Sequence, residues 1–251
     1  MSLLTNAKDY LWVDMVAWAK GGEAILFHQP GHYYKGANGR PEIIGSSFWL
    51  YDLTARTVRV VLENGSPASW NTSFSALGDL LAVKYRTALG APWKLAVLSL
   101  KTLTLTDING AGRGAELVWI DGSWDNKADR FAGIARKGPA GGPFVYVLTV
   151  YSVAAGEFVA EREMTRVEST AQQFSATWMA DGSRLIILDR EENALRILGP
   201  DLRDLDRIAL PAFWRPPFGV MLVGDKALVE GENPDSLWRC DLATKRWKRI
   251  Y

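Results

Sequence analysis

His28 and His32 are the only two histidines in the chain, and they stand in the run His28-Gln29-Pro30-Gly31-His32. On a helix this spacing would put both imidazoles on one face, but Pro30 and Gly31 make the segment a turn. A zinc site needs three or four N, S or O ligands. Asp or Glu from other loops would have to complete it, so the reading taken is a loop with exposed imidazoles and no metal. Asp107-Ile108-Asn109-Gly110 resembles the start of an oxygen-rich calcium loop. The closing Glu and the flanking helices of an EF-hand are missing, and Asp-x-Asn-Gly is also a good turn between strands. The Gly-rich stretch Asn109 to Gly114 leads into a strand, whereas a phosphate cradle should lead into a helix N-terminus. Glycoside hydrolysis would need an acid and a base or nucleophile on opposite sides of the bond. Asp14, Glu116, Asp189, Glu230 and Glu232 are the candidate carboxylates. Asp189 and Glu230 end very apolar segments, where each would have a raised pKa or pair with a neighbouring Arg or Lys. A Ser-His-Asp triad has no support, because both histidines share one loop and Gly-x-Ser-x-Gly does not occur. The single cysteine, Cys240, lies in Leu237-Trp238-Arg239-Cys240 and reads as a small buried hydrophobe. No catalytic residue, cofactor or metal site is read from these motifs.

Composition narrows the partners. The 251 residues carry 29 Lys+Arg and 28 Asp+Glu, a net charge of +1. No charge excess draws the whole protein to nucleic acid or to an anionic membrane. One cysteine cannot form an internal disulfide. The start, MSLLTNAKDYLWVD, is broken by Lys8, Asp9 and Asp14 and lacks the pattern of a secretion signal. No apolar run is long enough to span a bilayer. The expectation is a cytoplasmic protein with a lead-in at 1–14 and one domain over 15–251.

The elements that must position any site are strands. Short apolar segments rich in Val, Ile, Leu, Trp, Tyr and Phe alternate with Gly, Asp, Asn and Pro turns. They recur in a fixed order: a small or aromatic strand, a tight turn, a very apolar strand, a loop, an apolar strand ending in Asp-Leu or Ser-Leu, a short turn and a more polar strand. Five copies start near Met15, Ser73, Glu116, Phe174 and Phe218. That recurrence is close to the roughly 40–50-residue period of propeller blades. A four-stranded sheet cannot bury both faces alone, and stacking sheets around an axis buries them against each other.

The fourth copy, Thr177-Trp178-Met179-Ala180-Asp181-Gly182-Ser183-Arg184-Leu185, resembles the irregular WD40-like repeats of the TolB/PD40 type. The family usually has Pro where this chain has Ala180. Fainter echoes are Trp18 to Ala24, Leu77-Gly78-Asp79, Asp52-Leu53 and Asp241-Leu242. The resemblance implies a propeller and carries no catalytic residues. The fold expected is all-β: a five-bladed β-propeller with four antiparallel strands per blade. Six blades, with residues 1–14 completing a further sheet, is the alternative, and a two-sheet sandwich the third reading. The basic run Lys245, Arg246, Lys248 and Arg249 reads as charge protecting an outer edge strand.

One face of such a ring would carry only short turns, the exception being Gly122 to Arg130. The other would carry the long loops 28–45, 64–72, 86–92, 107–115 and 210–217. Binding groups usually sit on loops held by a rigid scaffold. The expected function is non-catalytic: a scaffold holding a protein or peptide partner on the long-loop face. His28, His32, Tyr33, Tyr34, Trp70, Trp93 and Trp214 would give contact area, and Arg86, Arg113 and Arg215 charge-assisted hydrogen bonds. Trp70, Trp93 and Trp214 would otherwise cap gaps between blades. The alternatives are a carbohydrate-active enzyme or small-ligand binder at the axial pocket, and a structural subunit of a larger assembly. No nucleic-acid or membrane partner is expected.

Overall fold

The computed structural model describes residues 15–30, 32–35, 41–44, 46–67, 79–88, 91, 93–108, 116–125, 130–138, 145–164, 174–189, 192–211, 220–230 and 236–251. Among them are five four-stranded antiparallel sheets and one two-stranded hairpin. Sheet one is β1 (Met15–Ala19), β2 (Ala24–Gln29), β5 (Ser47–Asp52) and β6 (Thr57–Glu63). The hairpin β3 (His32–Lys35) and β4 (Pro41–Ile44) is inserted between its second and third strands. Sheet two is β7 (Gly65–Pro67), β8 (Leu80–Tyr85), β9 (Lys94–Ser99) and β10 (Leu105–Asp107). Sheet three is β11 (Glu116–Trp124), β12 (Arg130–Gly138), β13 (Val145–Ser152) and β14 (Glu157–Glu163). Sheet four is β15 (Phe174–Trp178), β16 (Leu185–Asp189), β17 (Ala194–Leu198) and β18 (Asp204–Ala209). Sheet five is β19 (Val220–Val223), β20 (Lys226–Glu230), β21 (Leu237–Asp241) and β22 (Arg246–Arg249). Every four-stranded sheet is built from strands in chain order, so no described sheet borrows a strand from the far end of the chain.

The core lies between sheets. Alternation sends Ala24, Leu26, Phe48 and Leu50 of sheet one onto Leu81, Val83, Ala96 and Leu98 of sheet two. Sheet two then packs through Ala82, Leu95 and Val97 on Trp124, Phe131 and Val147 of sheet three. The other face of sheet three, with Ile134, Leu148 and Val150, meets Ala176, Leu185 and Ile187. Ile186, Leu188 and Ile197 of sheet four meet Val220, Ala227, Val229 and Cys240 of sheet five. The middle sheets are therefore apolar on both faces, and the continuous run Leu185 to Leu188 is fully buried. Each leucine there is worth about 2–5 kcal/mol against alanine.

The Asp-Leu and Ser-Leu pairs are turn chemistry. Asp52 Oδ1 accepts from the Ala55 amide at 2.9 Å, and Asp241 Oδ1 from the Thr244 amide at 2.8 Å. Ser99 and Ser152 do the same for Thr102 and Ala155. These amide bonds hold Asp52 below the usual carboxylate range, Ala55 contributing most, and the Lys226 ammonium lowers Asp241 strongly. The next amide, of Leu53, Leu100 or Leu242, donates across to Glu23, Asp79 or Asp225 and ties the two turns of a sheet together. Each turn then needs a left-handed residue: Arg56 (φ 56), Leu103 (φ 59), Gly156 (φ 69) and Lys245 (φ 56).

One expectation about the second copy is corrected: residues 65–67, expected within a loop, form strand β7, and the first strand expected near Ser73 lies outside the described residues. Asn64-Gly65 reads as a loop, yet Asn64 turns left-handed (φ 50) and passes the chain straight into the next sheet. A Cβ on Gly65 would stand 2.7 Å from Leu62 Cδ2, so a larger residue there would have to push the Leu62 side chain aside. Pro67 is tolerated because β7 is an edge strand paired only with β8. Residues 28–45 are likewise not one loop, since His28 and Gln29 finish β2 and the β3–β4 hairpin follows.

Candidate functional site

Chain direction places the ends of β2, β6, β8, β10 and β16 at one end of the sheets, the expected long-loop face. Among the described residues, one set of chemical groups at this end is on sheet two. Tyr85 and Lys94 are direct cross-strand partners, and Arg86 and Trp93 follow them at the mouth of the β8–β9 connection. The Arg86 guanidinium carbon stands 5.1 Å from the Trp93 ring centroid, and Lys84 Nζ stands 5.8 Å from it. Both distances suit cation–π attraction of about 0.5–1 kcal/mol each, more where water is excluded. Arg86 is only 7% exposed, while Trp93 is half-buried. Arg86 is thus a support under the indole instead of a fully offered hydrogen-bond donor. Beside them the Tyr85 hydroxyl donates to Asp107 Oδ2 at 3.1 Å, and Lys94 Nζ reaches the same oxygen at 3.4 Å. Burial, and then the Asp107 charge, push the Tyr85 phenol up, so it stays a donor at neutral pH. Asp107 ends a strand and is held by Tyr85 and Lys94; Asn109 and Gly110 lie outside the described residues.

His28 is corrected from an exposed loop imidazole to a buried strand residue. It falls on the same side of β2 as Ala24 and Leu26, so alternation drives it toward sheet two. Its Nε2 lies 2.8 Å from Ser46 Oγ and 3.3 Å from the Gly65 carbonyl. Ser46 Oγ donates to that carbonyl at 2.7 Å and lies 2.9 Å from Ser66 Oγ. The arrangement is a strut tying β2 to the β6–β7 passage. His32, Tyr33 and Tyr34 lie on β3, in register with Ile44, Ile43 and Glu42. Trp70, Arg113, Trp214 and Arg215 lie outside the described residues. Of the ten expected contact residues, the structure brings Arg86 and Trp93 together; Lys84, Tyr85 and Lys94 join them without having been anticipated. Cross-strand pairing of Lys84-Tyr85-Arg86 with Trp93-Lys94 was the available signal.

Among the candidate carboxylates, Asp189 is buried at the end of β16, 3.5 Å from Arg196 Nη1, and accepts from the Glu192 amide. Arg196 also makes bonds of 2.7 and 2.9 Å to Asp204, which Arg162 of sheet three reaches at 2.8 Å. Burial pushes Asp204 up, but the two guanidiniums outweigh it and hold the carboxyl low. Asp189 is thus paired with Arg196. Glu230 is exposed, and Asp14 and Glu232 lie outside the described residues. Among the described residues no group of three or more His, Cys, Asp or Glu could hold a metal ion. No helix among them is long and apolar enough to cross a membrane. Cys240 is fully buried, and burial pushes its thiol up to about 11.

The opposite face carries the sheet-to-sheet locks. Arg130 Nε donates to the buried Asp125 carboxylate at 3.0 Å and Nη2 to the Gly182 carbonyl at 2.8 Å, with the guanidinium 4.7 Å from the Trp178 ring. Ser123 Oγ accepts from the Trp178 amide at 3.1 Å. The Asp-Gly turn of the fourth copy is thus gripped by sheet three. A cavity of about 460 Å³ also opens on this face, lined by Trp18, Lys20, Asp79 and Lys101.

No protein-family model matches the chain, and no curated protein matches its sequence. Solved structures do match. The β-propeller domain of the Trilobed protease from Pyrococcus furiosus, described as having an open velcro topology, aligns over 95% of this chain and 70% of that one, with TM-score 0.61 and 13% identity. Porphyromonas gingivalis dipeptidyl peptidase 4 aligns over 98% of this chain and 40% of that one, with TM-score 0.58 and 10% identity. A chain of the nidogen/laminin complex aligns over 95% and 80%, with TM-score 0.50 and 11% identity. At these identities the likeness concerns fold alone. With sheets of four consecutive antiparallel strands stacked face to face, it makes this chain a β-propeller.

Proposed function

We propose that the five sheets are the blades of one five-bladed, WD40-like propeller over residues 15–251. In this reading it is a non-catalytic, cytoplasmic scaffold that holds a protein or peptide partner on its long-loop face. The observation that carries this is the Arg86–Trp93 pair, which meets at the loop end of blade two. A half-buried indole held by Arg86 and Lys84 over its ring has little freedom to lose on binding. Aromatic residues and Arg supply most of the energy at protein interfaces. Tyr33 and Tyr34 on the inserted hairpin, with Trp70, Arg113, Trp214 and Arg215 on neighbouring loops, would extend the contact. His28 would act by holding the β6–β7 passage. The match to a chain of the nidogen/laminin complex supports a propeller used in a protein complex. The test is an affinity capture from the native host with wild type, Trp93→Ala and Trp70→Ala/Trp214→Ala as parallel baits. A protein recovered by wild type and lost with either variant supports the reading. Equal recovery by all three, or none by any, refutes it.

A further inference from the structure

The cavity of about 460 Å³ on the short-turn face has no part in the proposed scaffold. Its size falls within the roughly 300–1,000 Å³ of small-molecule sites. Blade one supplies one wall, from Trp18 through the turn Lys20–Gly22, and blade two supplies the other, from Asp79, Leu100 and Lys101. Backbone bonds fix the joint between them. The Lys20 amide donates to the Leu100 carbonyl at 2.8 Å, and the Leu100 amide to the Asp79 carbonyl at 2.8 Å. Walls tied in this way lose little freedom when a ligand arrives. Nothing stands within 4 Å of where a Cβ on Gly21 or Gly22 would be, and their φ values of +66 and +100 disfavour any side chain there. The turn therefore leaves the mouth open. Ala19 and Leu100 are buried in the wall, whereas Trp18 is 63% exposed. The polar groups come as ion pairs: Lys101 Nζ lies 3.1 Å from Asp79 Oδ2, and Lys20 Nζ 3.8 Å from Asp52 Oδ2. Each ammonium already faces a carboxylate, so these charges cancel.

We infer that this cavity binds a neutral saccharide, with one pyranose ring against Trp18 and two neighbouring hydroxyls on Asp79 and Lys101. An ammonium and a carboxylate side by side offer donors and acceptors together. Adjacent ring hydroxyls call for that combination, since each both donates and accepts. Asp79 would accept from one hydroxyl, and Lys101 would donate to the next. Such bonds to charged groups are the stronger kind. The C–H face of the sugar ring is slightly positive and suits the negative face of an indole. A charged ligand gains no net attraction here, because an anion meets Asp79 and a cation meets Lys20 and Lys101. A nucleotide could lay its base on Trp18 but would bring its phosphate to Asp79. The site lies on the face opposite Trp93, and either reading can fail alone.

The probes are maltotriose, cellotriose, xylotriose and chitotriose, titrated into the full chain and read by isothermal calorimetry. Trigalacturonate, the glucosamine trimer and AMP are the charged controls. At least one neutral trisaccharide should bind with a dissociation constant of about 1 mM or tighter. Its affinity should fall by about tenfold or more in Trp18→Gln and in Asp79→Asn, while far-UV spectra and urea midpoints stay unchanged. Trp18→Phe keeps an aromatic plate and should stay within about threefold of wild type. Failure of every neutral trisaccharide at about 10 mM overturns the proposal. So does tighter binding of any charged control than of the neutral sugars. Unchanged binding in Trp18→Gln, which would leave the indole to the joint with blade five, overturns it too.

Discussion

Removing the Asp125 carboxylate should loosen the joint between blades three and four by an amount the geometry sets. The Asp125 side chain is 0% exposed and that of Arg130 is 23% exposed, with Nε to Oδ2 at 3.0 Å. Breaking a buried pair by deleting one partner costs about 3–5 kcal/mol, mainly because the other charge stays buried. In Asp125→Ala the guanidinium keeps the Gly182 carbonyl and the Trp178 ring and has some water, so the low end, about 3 kcal/mol, applies. Arg130→Met leaves a fully buried carboxylate beside an apolar chain and also frees Gly182, so about 4 kcal/mol is expected. The double variant removes both charges together. It should be less destabilised than the sum of the singles by at least about 1.5 kcal/mol. Urea unfolding followed by tryptophan fluorescence gives all three values. Additivity within about 0.5 kcal/mol would refute the claim that the two side chains act as one lock.

Other consequences follow from single residues. Arg56 sits at φ 56 in an exposed turn, and Arg56→Gly should stabilise by up to about 1 kcal/mol in the same assay. Gly182 has φ +68 and a Cβ there would stand 3.2 Å from Arg130 Nη2, so Gly182→Ala should cost about 1–2 kcal/mol. The Cys240 thiol is raised to about 11 from 9.0, so the unfolded chain loses its proton first as pH climbs. Its contribution to stability is intact below about pH 9 and falls through the interval to 11, with a slope of at most about 1.4 kcal/mol per pH unit. Cys240→Ala should flatten that part of the curve, and thiol reagents should label native protein far more slowly than urea-unfolded protein. Trp18 is exposed, and Trp18→Gln should change stability by no more than about 0.5 kcal/mol.

Strand type, blade unit and turn chemistry were legible because each is local. Alternation in Ala24–Gln29 and the apolar run Leu185 to Leu188 fix side-chain direction, and Asp52, Ser99, Ser152 and Asp241 cap their own turns. Strand β7 was not legible. Gly65-Ser66-Pro67 has turn composition, and only its pairing with β8 makes it a strand. His28 misled for a related reason, since Pro30 and Gly31 mark a turn but not where β2 stops. The Arg86–Trp93 stack and the Asp125–Arg130–Gly182 lock required knowing which strands pair and which blades touch. Exposure of Val16, Trp18, Met221 and Val223 was hidden as well, because strand pattern alone does not tell a covered apolar face from a free one.

The central claim is that the long-loop face holds a partner. Its most direct test is site-specific photo-cross-linking in the native host, with the photoreactive residue placed at Trp93 on that face or at Ala55 on the opposite turn face. The account predicts one discrete cross-linked protein from position 93, lost in an Arg86→Ala background, and none from position 55. Cross-linking of the same protein from position 55 alone, or no product from position 93, would contradict it.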